Sequence, residues 1–139
     1  MSHVPWGFDE ARARCTAASI QQKSAETAKR KAAHEAAAAE RDYRVALALE
    51  IVRQHADDGV AWSVAADVAR GNRQVADLRM RRDVAVGVRD SLEQAVWRAS
   101  ADRKDTARFA EWSMRVAVAD GSIRGSDQRL QWTTGGVAA

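Results

Sequence analysis

The feature that most restricts the fold of this sequence is a pair of long stretches with almost no residue that opposes a helix. Residues 9–56 and residues 72–119 are 48 residues each, and the only Gly or Pro in either is Gly87. Because Gly and Pro destabilise helices more than any other residue, each stretch predicts one long helix. Two equal arms joined by residues 57–71 predict an all-α fold, a long antiparallel two-helix hairpin resembling a coiled coil.

The segment between the arms predicts a short helix at the tip of the hairpin. Gly59 is the residue type that ends helices in a left-handed conformation. We expect Ser63 to cap a short helix that ends at Arg70, and Asn72 to cap the second arm. An apolar plug over the tip is expected from Val60, Trp62, Val64 and Val68.

The two ends of the chain differ in composition from the arms. Residues 1–8 form a lead-in that contains Pro5 and Gly7, and Asp9 is the expected cap of the first arm. Residues 120–139 hold four of the eight Gly and predict a flexible tail with one short hydrophobic element.

Each arm carries a stripe with heptad-like spacing that we expect to face the other arm. The first stripe comprises Ala11, Cys15, Ala18, Gln22, Ala25, Lys29, Ala32, Ala36, Ala39, Tyr43, Ala46 and Glu50. The second comprises Val75, Leu78, Arg82, Ala85, Arg89, Leu92, Val96, Ala99, Arg103, Thr106, Ala110, Ser113 and Ala117. Folding one arm on the other is expected to place Ala85 beside Tyr43 and Arg89 beside Glu40.

Large apolar residues that fall off these stripes predict a second interface. The first stripe is mostly Ala, so each contact between the arms contributes little, and a thin core often requires oligomerisation. Val84, Val86 and Val88 do not fit on one stripe. We therefore expect self-association or another protein partner. The candidate partner contacts are Trp62, Trp97, Trp112, Leu130 and Trp132.

Residues suited to catalysis or metal binding are scattered along the chain. His34 and His55 are 21 positions apart, or about 31 Å along one helix. The single cysteine, Cys15, lies on an Ala-rich stripe, where a small packed residue is expected. No cluster of metal-ligand spacing and no Gly-rich phosphate loop occurs in the sequence. The sequence therefore predicts a protein without enzyme activity, metal or cofactor.

Charge leaves nucleic-acid binding as an alternative function. The chain has 22 basic and 19 acidic residues, a net charge of +3, and opposite charges alternate, which is typical of a solvated helix face. The best candidates for phosphate contact are Arg73, Arg79, Arg81 and Arg82. No signal peptide and no apolar run of membrane-spanning length is visible. We expect a soluble protein, in the cytoplasm of a bacterial host or in a virion.

Two stretches carry a resemblance to known proteins: RDYRVALALEI at residues 41–51, and DVARGNRQVADLRMRRDVAVGVRDSLEQAVW at residues 67–97. The sequence resembles small, uncharacterised helical proteins of actinobacteriophages and of prophages of Gram-positive bacteria. The resemblance covers about half of the chain and brings no catalytic residues with it. It implies a phage origin.

Three functional hypotheses follow from these patterns. The first is a non-enzymatic phage or prophage protein that acts through protein–protein contact, as a homo-oligomer or with a host or phage protein. The second is a nucleic-acid-binding accessory of phage replication or recombination. The third is a structural component of the virion.

Overall fold

The computed structural model describes residues 4–122, which form three helices. They are α1 (Phe8–Ala56), α2 (Trp62–Arg70) and α3 (Arg73–Ala119). Helix accounts for 88% of the described residues, and none of them is in a strand. The predicted all-α class with two long helices and a short one is confirmed. The predicted hydrophobic element of the tail, with Leu130 and Trp132, lies outside the described residues.

The chain divides into two compact units, and each long helix contributes to both. Among the described residues, the terminal unit consists of residues 4–23 together with residues 98–122. The central unit is Ser24–Trp97, which contains all of α2. The contacts of each unit are described separately below.

The helix ends confirm two of the four predicted signals. Gly59 adopts φ 67°, the left-handed conformation expected after α1. The Asn72 Oδ1 atom accepts hydrogen bonds from the backbone N–H groups of Gln74 and Val75, at 2.9 and 3.3 Å, and so caps α3. Asp9 is not a cap, because α1 begins at Phe8 and places Asp9 in its first turn.

Ser63 was also the wrong residue for the start of α2. Ala61 is the N-cap, with extended backbone and no side-chain cap, and Ser63 lies inside the first turn. The Ala61 carbonyl accepts the first helical hydrogen bonds, from the N–H groups of Val64 and Ala65. The helix therefore starts before the hydroxyl that sequence reasoning selected.

Burial follows the two predicted stripes closely. All twelve positions of the first stripe are buried or partly buried, and so are twelve of the thirteen positions of the second. The exception is Arg103, which is exposed. The spacing of three and four residues thus identifies the faces of α1 and α3 that are withdrawn from solvent.

The register of α1 against α3 in the central unit differs from the predicted one. Glu40 pairs with Arg82 at 3.5 Å, two helical turns before the expected Arg89. The ring of Tyr43 lies beneath the Arg82 guanidinium, 4.5 Å away, at the place expected for Ala85. Arg89 instead pairs with its neighbour Asp90.

The reason for the shift is that α2 packs against the end of α1. Asn72, just before α3, lies near Glu50, and both line the same groove. The last residues of α1, after Glu50, therefore lie beyond the start of α3, and their neighbours come from α2 and its loop. His55 stacks on Trp62 with 3.8 Å between ring centroids. The predicted register placed the turn at the centre of the loop. That is correct only when the end of α1 and the start of α3 lie at the same level.

The buried core consists mostly of the smallest apolar side chain. Of the ten hydrophobic residues buried within the described part of the chain, eight are Ala, and the other two are Tyr43 and Val75. Burying Ala removes little apolar surface from water, so each position contributes little to stability. Most of the large apolar side chains lie outside this buried core.

Candidate contact surface

Fourteen large hydrophobic side chains are exposed among residues 4–122, and nine of them fall between residues 45 and 88 of the central unit. These nine are Val45, Leu49, Val52, Trp62, Val64, Val68, Met80, Val84 and Val88. Single exposed apolar residues are ordinary on protein surfaces, but clusters of them mark contact sites.

The short helix α2 presents its large residues to solvent, contrary to the predicted plug. Trp62, Val64 and Val68 are 59%, 47% and 44% exposed. The residues that α2 buries are Ala65 and Ala69, four positions apart on one face. Because a small face allows close packing, α2 sits on its two Ala residues and turns its Val residues outward.

Trp62 is held in place although it is exposed. One face of its ring stacks on His55, with an interplanar angle of 23°. The His55 Nδ1 atom lies 2.9 Å from the Val60 carbonyl oxygen, which fixes the imidazole in turn. A large aromatic ring with one face supported and more than half its surface in water is typical of a residue that anchors an interface.

The end of α1 carries a line of exposed aliphatic residues. Val45, Leu49 and Val52 are 54%, 67% and 54% exposed. Val45 and Leu49 border a shallow groove between α1 and α3, whose other wall includes Val75 and Leu78. The groove extends the apolar surface from one helix to the next.

A second line lies on α3, and Trp97 follows it at the edge of the central unit. Met80, Val84 and Val88 are 65%, 61% and 46% exposed. Trp97 is 70% exposed, more than any other Trp among the described residues. Both lines lie on faces of their helices turned away from the buried stripes.

Trp112, the remaining described candidate, belongs to an aromatic cluster in the terminal unit. Its ring lies 5.0 Å from that of Phe109, which in turn lies 4.4 Å from the ring of Trp6. The Trp6 backbone N–H donates to the Oγ atom of buried Ser113 at 3.0 Å. Arg14 covers the Trp6 ring at 4.7 Å. The lead-in thus folds back on α3, and Trp112 is only 41% exposed.

The candidate nucleic-acid contacts do not form one basic surface. Arg82 is engaged by Asp83 at 2.7 Å, by Glu40 and by the Tyr43 ring. The hydrogen bond to Asp83 is the main cause that raises its pKa. A guanidinium held in this way has few donors left for a phosphate.

The other three arginines are divided between two grooves. Arg73 and Arg81 line one together with Asp77. Arg79 lines another, next to Arg70. An acidic side chain in the first groove opposes binding of a phosphate there.

The strongest electrostatic feature of the central unit lies at the end of α1. Hydrogen bonds from Arg53 and then Gln54 lower the pKa of Glu50 from its ordinary 4.5 to about 2. Arg53 also pairs with Asp58 at 3.2 Å. These bonds join the last turns of α1 to the loop before α2, so their role is structural.

The described residues offer no group of three or more His, Cys, Asp or Glu able to hold a metal ion. Burial raises the pKa of the Cys15 thiol, which opposes nucleophilic chemistry, since the thiolate is the reactive form. Within residues 4–122, no helix is long and apolar enough to cross a membrane.

Comparison with known proteins finds no match among protein families, curated proteins or solved structures.

Proposed function

We propose that this protein acts through protein–protein contact, without catalysis, as a self-associating antiparallel helical hairpin. The observation that carries the proposal is the distribution of apolar side chains in residues 4–122: Ala fills most of the core, while fourteen large hydrophobic residues are exposed. If association covered these Val, Leu and Trp side chains, it would contribute more stabilising free energy than the buried Ala residues do, since that free energy scales with the apolar area removed from water.

The hairpin arrangement is supported by the ion pairs of the central unit. Lys29 pairs with Glu93, and Glu40 with Arg82. The later residue of α1 thus meets the earlier residue of α3, as two antiparallel helices require. The burial spacing of three and four residues on both helices supports a coiled-coil-like seam.

The biological setting that we propose is a phage or prophage, on the resemblance of residues 41–51 and 67–97. Within that setting, contact with further copies of the chain has more support than nucleic-acid binding. The four candidate arginines are divided between surfaces, and Arg82 is already paired.

Light scattering after size-exclusion chromatography tests this proposal. We expect a mass above that of one 15.2 kDa chain at concentrations of about 10 µM and higher, a typical affinity range for small helical interfaces. A single chain at every concentration would remove self-association. Tight, salt-sensitive retention of DNA by such a monomer would favour the nucleic-acid alternative.

A further inference from the structure

One part of the exposed apolar surface has the spacing of a helix–helix seam. Val45, Leu49 and Val52 follow one another at intervals of four and three residues, and Ala56 continues the alternation after four more. This is the spacing that keeps side chains on the face where two helices meet. The central unit leaves the first three more than half exposed.

No charged residue occupies this seam between residues 45 and 56. The two charged neighbours, Glu50 and Arg53, are paired with each other at 2.7 Å. At the other end, Asp42 takes the next position before Val45 in the same spacing. A helix that packs on this face therefore meets an uncharged strip about 16 Å long, bounded by a carboxylate at one end.

We propose that this strip, Val45, Leu49, Val52 and Ala56, is the seam along which two copies of the chain pair. Their α1 helices run antiparallel about a two-fold axis between Glu50 and Ile51. The inference rests on the self-association proposed above and adds the face and the direction. In this register Leu49 meets Val52 of the partner subunit, and Val45 meets the partner's Ala56, a larger side chain against a smaller one at both levels.

The direction follows from the charges at the two ends of the strip. In the antiparallel register Arg41 and Arg44 lie at the level of Asp57 and Asp58 of the partner subunit. Parallel pairing would instead place the arginines of the two copies side by side, and likewise the aspartates, where like charges repel. A two-fold axis also requires one surface to match itself, and the strip does so over its whole length.

The exposed line on α3 is less suited to such a seam. Met80, Val84 and Val88 are spaced by four residues each time, so the line drifts around the helix. Gly87, at the three-residue step, offers no side chain. This line provides the matched control, because a charge introduced there is equally exposed in the single chain.

The first test compares Leu49→Glu with Val84→Glu by sedimentation equilibrium. We expect Leu49→Glu to weaken dimerisation roughly 100-fold or more, since a carboxylate would be buried in the seam, while Val84→Glu dimerises like the wild type. Circular dichroism should show equal helix content for both. Dimerisation of Leu49→Glu at wild-type strength would overturn the seam but leave self-association standing. A monomeric wild type would remove both.

The second test fixes the direction by disulfide formation in a Cys15→Ala background. In the antiparallel register the double variant Val45→Cys with Ala56→Cys brings cysteines of the two copies together, so oxidation gives covalent dimers. The single variant Val45→Cys stays uncoupled, because its two thiols are about 16 Å apart along the axis, beyond disulfide reach. Covalent dimers of the single variant would show parallel pairing, and their absence from both variants would show another interface.

Discussion

The terminal and central units use their large apolar residues in opposite ways. In the terminal unit, Trp6, Phe109 and Trp112 pack on one another, and the backbone of Trp6 is bound to buried Ser113. In the central unit, ten large apolar residues are exposed, and five of the seven buried hydrophobic residues are Ala. The terminal unit packs its aromatic rings against one another within the chain, whereas the central unit leaves aliphatic side chains exposed and available for contact with other molecules.

The difference shows what specifies structure where the core is thin. The register of α1 and α3 in the central unit is marked by polar contacts: Lys29 pairs with Glu93, and Arg82 lies between Tyr43 and Glu40. Paired Ala residues fit together equally well in several registers, so these contacts distinguish one alignment from another. In the terminal unit, three aromatic rings and the hydrogen bond from Trp6 to Ser113 hold the lead-in on α3.

The largest expected effect is the loss of the aromatic cluster in the terminal unit. Trp6→Ala removes a half-buried ring from Phe109, and we expect the free energy of unfolding to fall by about 2 kcal/mol. Urea denaturation followed by circular dichroism measures the change. Trp97→Ala is the control, because Trp97 is 70% exposed and its loss should change stability by less than about 0.5 kcal/mol. Equal effects of the two substitutions would end the contrast between the units.

A smaller effect is expected at the cap of α3 in the central unit. Asn72→Ala removes the acceptor for two backbone N–H groups and should cost about 1 kcal/mol in thermal or urea unfolding. Ser63→Ala is the matched control at the start of α2, where no side chain caps the helix, and it should be close to neutral. A larger loss from Ser63→Ala would mean that its hydroxyl caps α2 in solution.

Gly87 allows a gain of stability in the central unit. A Cβ atom added there would contact nothing within 4 Å, so close approach of another helix in the chain does not require this glycine. Gly87→Ala should raise the free energy of unfolding by up to about 1 kcal/mol through helix propensity alone. Gly59→Ala should have the opposite sign, because Gly59 is left-handed at φ 67°. A lower free energy of unfolding for Gly87→Ala would reveal a partner packed against Gly87.

The pH dependence of the central unit is expected to depend on Glu50. Its folded-state pKa, about 2, lies below the ordinary 4.5. A lowered carboxyl pKa contributes stability that is present above the ordinary value and is lost as the pH falls through the folded value. Unfolding measured from about pH 6 down to about pH 2 should therefore show a steeper loss for the wild type than for Glu50→Gln. Parallel curves would show that the bonds of Glu50 are too weak to matter.

Much of the fold could be predicted from sequence, because helix breakers and heptad spacing are local signals. The near absence of Gly and Pro predicted both long helices, and the stripes predicted which faces are buried. The register could not be predicted, since it depends on α2 packing beside the end of α1. The predicted apolar plug was wrong for a related reason. The sequence of α2 allows either its Val residues or its Ala residues to pack inward, and its two Ala residues allow the closer approach.

The candidate contact surface was predictable in part. Trp62 was selected as the large aromatic residue of the tip and Trp97 because it falls off its stripe, and both are exposed. Val45, Leu49 and Val52 gave a weaker signal, because the end of α1 is apolar around much of its circumference and its sequence does not distinguish the exposed side from the buried one. Only the position of α2, against His55, shows which side remains open.

Hydrogen–deuterium exchange at two protein concentrations tests most directly whether the central unit provides the contact surface. A dilute sample of about 1 µM and a concentrated one of about 100 µM would span the expected range of dissociation constants. We expect slower exchange at high concentration in peptides covering residues 45–56 and 62–70, and unchanged exchange around Trp6 and Phe109. Exchange that is independent of concentration throughout, or slowed only in the terminal unit, would contradict the account.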